Sequence, residues 1–337
     1  MDPGARDRAF MLVSGFRATQ LVRAATELRI PDLVADGPRS AADLAEATGV
    51  MAGPLQRALR ALVSVGVFDE VDGGRFAATP VSDWFRDRPG SMRGIALMLP
   101  AESYRAFGDL MYSLKTGEPA FEHIYSMSRW EQLAQEPEES ALFNSSMQFN
   151  TEAMRDAVAS AYDFTGLLSV VDVGGGRGTL IAGLLKANPG LRGTVFDIEA
   201  GLAETEAYLK GEGVHDRCAV KRGSFFDHIP SGHDVYVLKN IIHDWSDDKA
   251  AVILANCRKA IGPERRLILI ERVVPPRSEY SAASRQLFMA DMQMMVMLGG
   301  RERTLDEFRI LLENAGFQLT RVIPTESPFQ LIEAIPA

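Results

Sequence analysis

The chain has 337 residues, with 36 Lys plus Arg against 45 Asp plus Glu and a formal net charge of −9. That length favours two domains over one core, and 46% apolar with 24% charged residues is the composition of a globular protein. The acidity excludes the broad basic footprint needed for nonspecific binding to nucleic acid or an anionic membrane.

Met1-Asp-Pro-Gly-Ala-Arg-Asp-Arg8 mixes its charges and lacks a signal-peptide pattern. Phe10, Val13, Phe16 and Leu21 then mark a long amphipathic helix suited to burial against a partner subunit. Ser40-Ala-Ala-Asp43 is a capping-box-like helix start with Gly49 as its stop. Leu55, Ala58, Leu59 and Leu62 form one apolar helical face, and the β-type runs around Asp72-Gly73-Gly74 signal a hairpin. Helix, turn, helix and hairpin is the order of a winged helix. A DNA-reading role is disfavoured, because residues 1–100 hold 12 Arg, no Lys and 12 acids, and the second helix carries only Arg57 and Arg60. Residues 1–98 are therefore expected to form a winged-helix-like domain with a structural or dimerising role, and 99–155 a helical connector contributing to the substrate pocket, with a solvated helix start at Glu136-Pro-Glu-Glu139.

From about residue 165, short apolar strands alternate with helical stretches. Strands are predicted at Ser169–Val173, Gly193–Phe196, Ala219–Lys221, Asp234–Leu238 and Leu267–Glu271, with a closing pair near 317–335. Helices are predicted near 179–187, 201–211, 247–261 and 304–315. This alternation implies an α/β domain, residues 156–337, with a mainly parallel sheet covered on both faces. Such sheets bind ligands at the carboxyl ends of their strands. Cys218 and Cys257, far apart and without metal-ligand spacing, read as buried reduced thiols of a cytoplasmic protein, and no apolar run nears the ~20 residues of a membrane span.

Four glycines, Gly174, Gly175, Gly176 and Gly178, follow the first strand and open a helix, which suits either a nucleoside-bearing cofactor or a tight turn. No Gly-Lys-Ser/Thr completes a Walker loop, and the dinucleotide fingerprint fails at Thr179. Asp197, after the second strand, could accept the hydroxyls of a ribose or cap a helix. Phe225 and Phe226, in Gly223-Ser-Phe-Phe226, could enclose a flat base or fill core. Of five histidines, only His243 falls just past a strand's carboxyl end, where an imidazole can take a proton at neutral pH. His233 precedes a strand, and His123, His215 and His228 read as loop or surface residues. Glu271 ends the fifth strand and Glu302 precedes a helix; each could be a surface charge or could fix the tautomer of a catalytic imidazole. Five methionines in the nine residues from Met289 suit either ordinary core or a pocket for a flat aromatic acceptor. Met294 and Met295 are the candidate lining residues, with Asp291 to orient the substrate.

Assembled in order, "LFNSSM" (142–147), "VVDVGGGRGT" (170–179), "GSFF" (223–226), "LKNIIHDWSD" (238–247), the Glu271 strand end and "GGRERT" (299–304) are specific. Over essentially its whole length the chain resembles the class I S-adenosylmethionine-dependent small-molecule O-methyltransferases, typified by plant caffeic acid and isoflavone enzymes and by bacterial antibiotic and phenazine tailoring enzymes. The resemblance implies a Rossmann-like domain with a mostly parallel seven-stranded sheet, a homodimer joined through the N-terminal domain, S-adenosylmethionine as cofactor with S-adenosylhomocysteine as product, and no metal. It implies that Asp172, Gly174 and Gly176 hold the methionine part of the cofactor, and Asp197 the ribose. Ser224, Phe225 and Lys239 would surround the adenine, with Trp245 near the cofactor. His243 would be the general base, flanked by Glu271 and Glu302, and Met147 and Asp244 would meet the aromatic hydroxylated substrate. Ser224 departs from the aspartate common in the family, so a hydroxyl contact or a water would replace its carboxylate at the adenine amino group. The readings to be separated from O-methylation are N-methylation, a non-methylating tailoring reaction (decarboxylation, hydroxylation or cyclisation), and a winged-helix regulator.

Overall fold

The computed structural model describes residues 3–337 and divides into two compact units, one ending at Arg105 and one running from Ala106 to Ala337. In the first unit, helix α1 (Pro3–Glu27) precedes strand β1 (Arg39–Ser40), helices α2 (Ala41–Thr48) and α3 (Ala52–Ser64), and strands β2 (Phe68–Val71) and β3 (Arg75–Ala78). The expected capping box is present at Ser40 and Asp43, and Gly49 ends α2 in the left-handed conformation. The three strands form an antiparallel sheet in the order β1-β3-β2, so two helices are followed by a wing. Leu55, Leu59 and Leu62 of α3 are buried with Phe68 and Phe76 of the wing. Arg60, one of the two arginines on α3, is tied to Glu70 of β2 at 2.9 Å, so that helix offers no free basic stripe.

The apolar face of α1 is largely uncovered: Phe10 is 65% exposed, Leu12 78% and Val13 79%. Leu21 instead packs onto the core of the unit. Among the described residues, no helix is long and apolar enough to cross a membrane.

The second unit contains a long helix, α4 (Pro137–Ala161), ahead of an alternating series. The series comprises β4 (Ser169–Val173), α5 (Thr179–Ala187), β5 (Arg192–Asp197), α6 (Thr205–Gly211), β6 (Cys218–Arg222), β7 (Val235–Lys239), α7 (Asp247–Ala260), β8 (Arg266–Glu271), α8 (Ala282–Leu298), α9 (Leu305–Asn314), β9 (Phe317–Pro324) and β10 (Gln330–Pro336). The sheet order is β9-β10-β8-β7-β4-β5-β6. From β6 to β8 all pairings are parallel, and β10 runs antiparallel to both β8 and β9. The order reverses between β4 and β7, so the crevice for a ligand opens beyond their carboxyl ends. One core cluster gathers Val171, Tyr236 and Leu254, and another Val170, Ile181 and Leu185. Successive residues of β4 thus go to opposite cores, as a sheet covered on both faces requires.

The structure changes several of the sequence expectations. The predicted 201–211 helix is broken into Glu199–Leu202 and α6. The restart lets fully buried Thr205 donate to the carbonyl of Gly176 at 2.8 Å. Of the loop and surface readings of His123 the surface one holds: it is exposed on the helix Ala120–Tyr125, bonded to Asp109 at 2.7 Å and stacked on Tyr112. Cys257 is buried but Cys218 only partly so; both are free thiols. Glu139 is not simply solvated, because it pairs with buried Arg129 at 3.6 Å.

Candidate active site

A cavity of about 340 Å³ opens at the switch point. Its floor is the glycine loop, where Gly174, Gly176 and Gly178 all have positive φ. Position 174 admits no side chain, since a Cβ there would lie 2.4 Å from Ile241. Asp172 is buried at the end of β4 with Oδ2 unpartnered. Burial pushes its pKa up to about 7 against the pull of Lys239. Asp197 accepts from the amides of Gly176 at 2.8 Å and Ile198 at 2.7 Å, which ties the glycine loop to the end of β5. Burial outweighs these two bonds and raises Asp197 to about 6. It is not a helix cap, because the cap position of the short helix after it is Ile198.

Phe225, Phe226 and Trp245 wall one side of the cavity, with Trp245 edge-on to Phe226 at 4.7 Å. Ser224 is on the same wall, and its Oγ accepts the amide of Phe226 at 3.1 Å, which leaves its hydroxyl hydrogen free to donate. Lys239 donates to Thr151 Oγ1 at 2.7 Å and lies close enough to Asp172 to interact with its charge. Its ammonium therefore belongs to the Asp172 side of the cavity. Burial pulls its pKa down to about 8.

The opposite wall falls within the 99–155 segment expected to contribute to the substrate pocket. Helix α4 lines the cavity with Ser140, Phe143, Asn144, Met147, Gln148 and Thr151, a face at three- and four-residue spacing. Only Met147 had been singled out, because polar residues at helical spacing read equally well as a solvent face. Trp130, stacked on Trp245 at 5.6 Å, and Asn240, held at φ 53, also line the cavity.

His243 stands just behind this cavity, on the 3₁₀ turn Ile242–Asp244 that follows β7. The ring is 6% exposed, and Asp244, rather than the imidazole, is the lining residue. Asp244 Oδ1 is 3.3 Å from Nε2, while Nδ1 is 3.0 Å from Glu302 Oε1 and 3.9 Å from Glu271 Oε2. Glu271 is fully buried, and its Oε1 also accepts the amides of Ile241 and Ile242 at 3.2 and 2.9 Å. Burial alone would pull the imidazolium pKa down; Glu271, Asp244 and Glu302 outweigh it and push it up to about 9. Burial likewise raises Glu271 to about 7 and Asp244 to about 6. Both glutamates are thus interior groups oriented on one imidazole, not surface charges.

The acceptor candidates on α8 lie outside this cavity. Asp291 Oδ1 accepts the backbone N–H of Glu302 at 2.8 Å and so braces the carboxylate segment. Met294 and Met295 do not line the cavity. Met295 packs with Phe121 and Val296, and the carbonyl of Met294 accepts from Gly300 at 3.3 Å. Met289 is 64% exposed, so the methionine run is not uniformly core.

The cavity suits a sulfonium nucleoside. Unpartnered buried acceptors remain at Asp172 Oδ2 and Asn240 Oδ1, and unpartnered indole donors at Trp130 and Trp245. Among them lie flat aromatic walls and a glycine floor beside a helix N-terminus, where a ligand backbone can approach closely.

A mostly parallel sheet with a glycine-floored crevice and a buried, carboxylate-flanked histidine just behind its wall fits a nucleoside-cofactor transferase. Residues 107–318 match the family model of the O-methyltransferase domain, and residues 10–88 that of the O-methyltransferase dimerisation domain. The chain is 39% identical to a phenazine O-methyltransferase of Lysobacter antibioticus, covering 96% of this chain and 94% of that one. It is 38% identical to an O-demethylpuromycin O-methyltransferase of Streptomyces alboniger, covering 99% and 90%. Among solved structures it is similar to an O-methyltransferase from neocarzinostatin biosynthesis in complex with S-adenosylmethionine and 2-hydroxy-5-methylnaphthoic acid. That match has a TM-score of 0.84 at 34% identity, over 95% of this chain and 96% of that one. The chain belongs to the O-methyltransferase family, with S-adenosylmethionine as its cofactor and an N-terminal dimerisation domain.

Proposed function

We propose that this enzyme methylates a hydroxyl group on an aromatic secondary metabolite, of the phenazine or polyketide type, with His243 as general base. The observation that carries the reading is the orientation of the imidazole. Nδ1 is directed at Glu302 and Glu271 in the interior, and Nε2 is directed at Asp244 on the cavity wall. The relatives support the acceptor class: those matched are described as acting on a phenazine and on demethylpuromycin, and one was solved with a hydroxynaphthoate.

When bound, S-adenosylmethionine supplies the electrophilic methyl group. Asp172 and Lys239 would meet its amino-acid end, Asp197 its ribose, and Ser224, Phe225 and Trp245 its base. Gly174 and Gly176 leave room for its backbone approach. A phenol with an ordinary pKa near 10 is almost wholly protonated at neutral pH. Nε2 takes that proton as the oxygen becomes a nucleophile, and Glu302 and Glu271 stabilise the imidazolium that results. Asp244, beside Nε2 and on the cavity wall, is placed to receive the acceptor hydroxyl. The two free thiols and the absence of a membrane-length helix among the described residues support a cytoplasmic enzyme that works as a homodimer through α1.

The test is a panel of phenolic acceptors offered with labelled cofactor, with S-adenosylhomocysteine measured against methylated product. Equal amounts support methyl transfer; product formed without S-adenosylhomocysteine would point to the non-methylating alternative. On a productive acceptor, His243→Ala lowers kcat by at least about 10²-fold while S-adenosylhomocysteine affinity is retained. Unchanged turnover would remove His243 as the base.

A further inference from the structure

Arg303 has 0% exposure, yet its guanidinium contacts neither the cavity nor the imidazole. Nη1 donates to the carbonyl of Ile242 at 2.8 Å and, more weakly, to that of Arg301 at 3.4 Å. Nη2 donates to the carbonyl of Trp245 and to Asp247 Oδ1, both at 2.8 Å, and Nε to the same carboxylate oxygen at 3.0 Å. These five bonds use every N–H of the side chain. The two strong carbonyl contacts bracket His243 and Asp244. Of the two carbonyls between them, that of His243 is held by the amide of Arg301 at 2.9 Å.

We propose that Arg303 is a positioning residue for His243: its planar fork fixes the turn that carries the base, while the adjacent Glu302 aligns the ring. The proposal rests on the reading of His243 as the base. A purely structural ion pair would need only Asp247, the first residue of α7. Here the same fork also holds the backbone on both sides of the ring, from the segment that supplies the ring's carboxylate. Glu271 holds the amides of Ile241 and Ile242 from the opposite side, so the base is gripped between two buried side chains of opposite charge. Lysine has three donors at one point and cannot span carbonyls three residues apart while keeping the bond to Asp247.

The test compares full-length Arg303→Lys and Arg303→Ala with the wild type. Calorimetry gives S-adenosylhomocysteine affinity, steady-state kinetics give kcat and KM on a productive acceptor, and ¹⁵N-histidine spectra of the S-adenosylhomocysteine complex report the ring of His243. For both variants we expect kcat to fall about 10²-fold, with cofactor affinity and acceptor KM within about threefold of wild type. The resonances of His243 should shift, and millimolar guanidinium should restore part of the activity of Arg303→Ala but none to His243→Ala. Should the alanine variant fail to fold, the lysine variant carries the test alone. The proposal is overturned by folded variants with wild-type kcat and unmoved His243 resonances, or by losses of kcat and cofactor affinity in equal proportion without guanidinium rescue. A wild type that transfers no methyl group would defeat the base reading, whereas the ring resonances would still decide whether Arg303 sets the position of His243.

Discussion

An imidazole surrounded by three carboxylates holds its proton tightly. With Glu271, Asp244 and Glu302 holding the imidazolium against the cost of burial, His243 titrates near 9 rather than at its ordinary 6.5. The free enzyme therefore gains its base form as pH rises, and kcat/KM for a phenolic acceptor should climb toward a midpoint near 9. Glu302→Gln removes one of the charges that favour the imidazolium, so the midpoint of the pH profile should move down while maximal kcat falls. A midpoint unmoved or raised would show that Glu302 does not set the ring's proton affinity. The sign for stability is the reverse. A folded-state pKa raised above the unfolded value contributes stability that is complete below 6.5 and fades as pH climbs through 9. At this scale the sequence was informative about which residues gather at this edge of the sheet and silent about their arrangement. His243, Glu271 and Glu302 were legible because each follows a strand or opens a helix at a ligand-binding edge. Arg303 was not, since an arginine just before a helix reads as a solvated charge, and burial is decided by a fold that brings segments about 60 positions apart together.

Among the elements, the segment between α8 and α9 is under the tightest steric demand. A Cβ at Gly300 would stand 2.1 Å from the carbonyl oxygen of His243, closer than any packing tolerates. Gly300→Ala should therefore displace the segment, costing on the order of 1–3 kcal/mol of stability and lowering kcat with it. Gly53→Ala, on α3, meets no atom within 4 Å and should be neutral or stabilising by about 0.5–1 kcal/mol. Thermal unfolding of the pair separates the two cases, and equal behaviour would discount the close approach. Element boundaries were readable where the pattern was driven by burial. The strand β4 coincides with its prediction at Ser169–Val173 because it is buried on both faces and carries valines on each. The 201–211 helix was misjudged because the need of Thr205 to reach Gly176 is a tertiary requirement that local periodicity does not express.

For the whole molecule, the uncovered face of α1 is the feature that a single chain leaves unexplained. Phe10, Leu12 and Val13 are all more than half exposed, and the matched dimerisation domain begins at residue 10. Placing two charges on this face, as in Phe10→Asp with Val13→Asp, should convert the dimer to monomer in sedimentation velocity, while the isolated fold melts normally. A double variant that remains dimeric would move the interface elsewhere. The two-domain plan, the sheet and the glycine floor were all legible from strand–helix alternation. The individual lining residues of the far wall on α4, Met147 apart, were not, because polar residues facing a cavity and polar residues facing water leave the same periodic trace.

The bond from Asp291 to the amide of Glu302 has a consequence for how such an enzyme can change its chemistry. It fastens the helix that bears the methionine run to the carboxylate that tunes the base. A shift of that helix is thus felt at the ring of His243, and any substitution at position 291 that removes the hydrogen-bond acceptor loosens the carboxylate from the imidazole it holds.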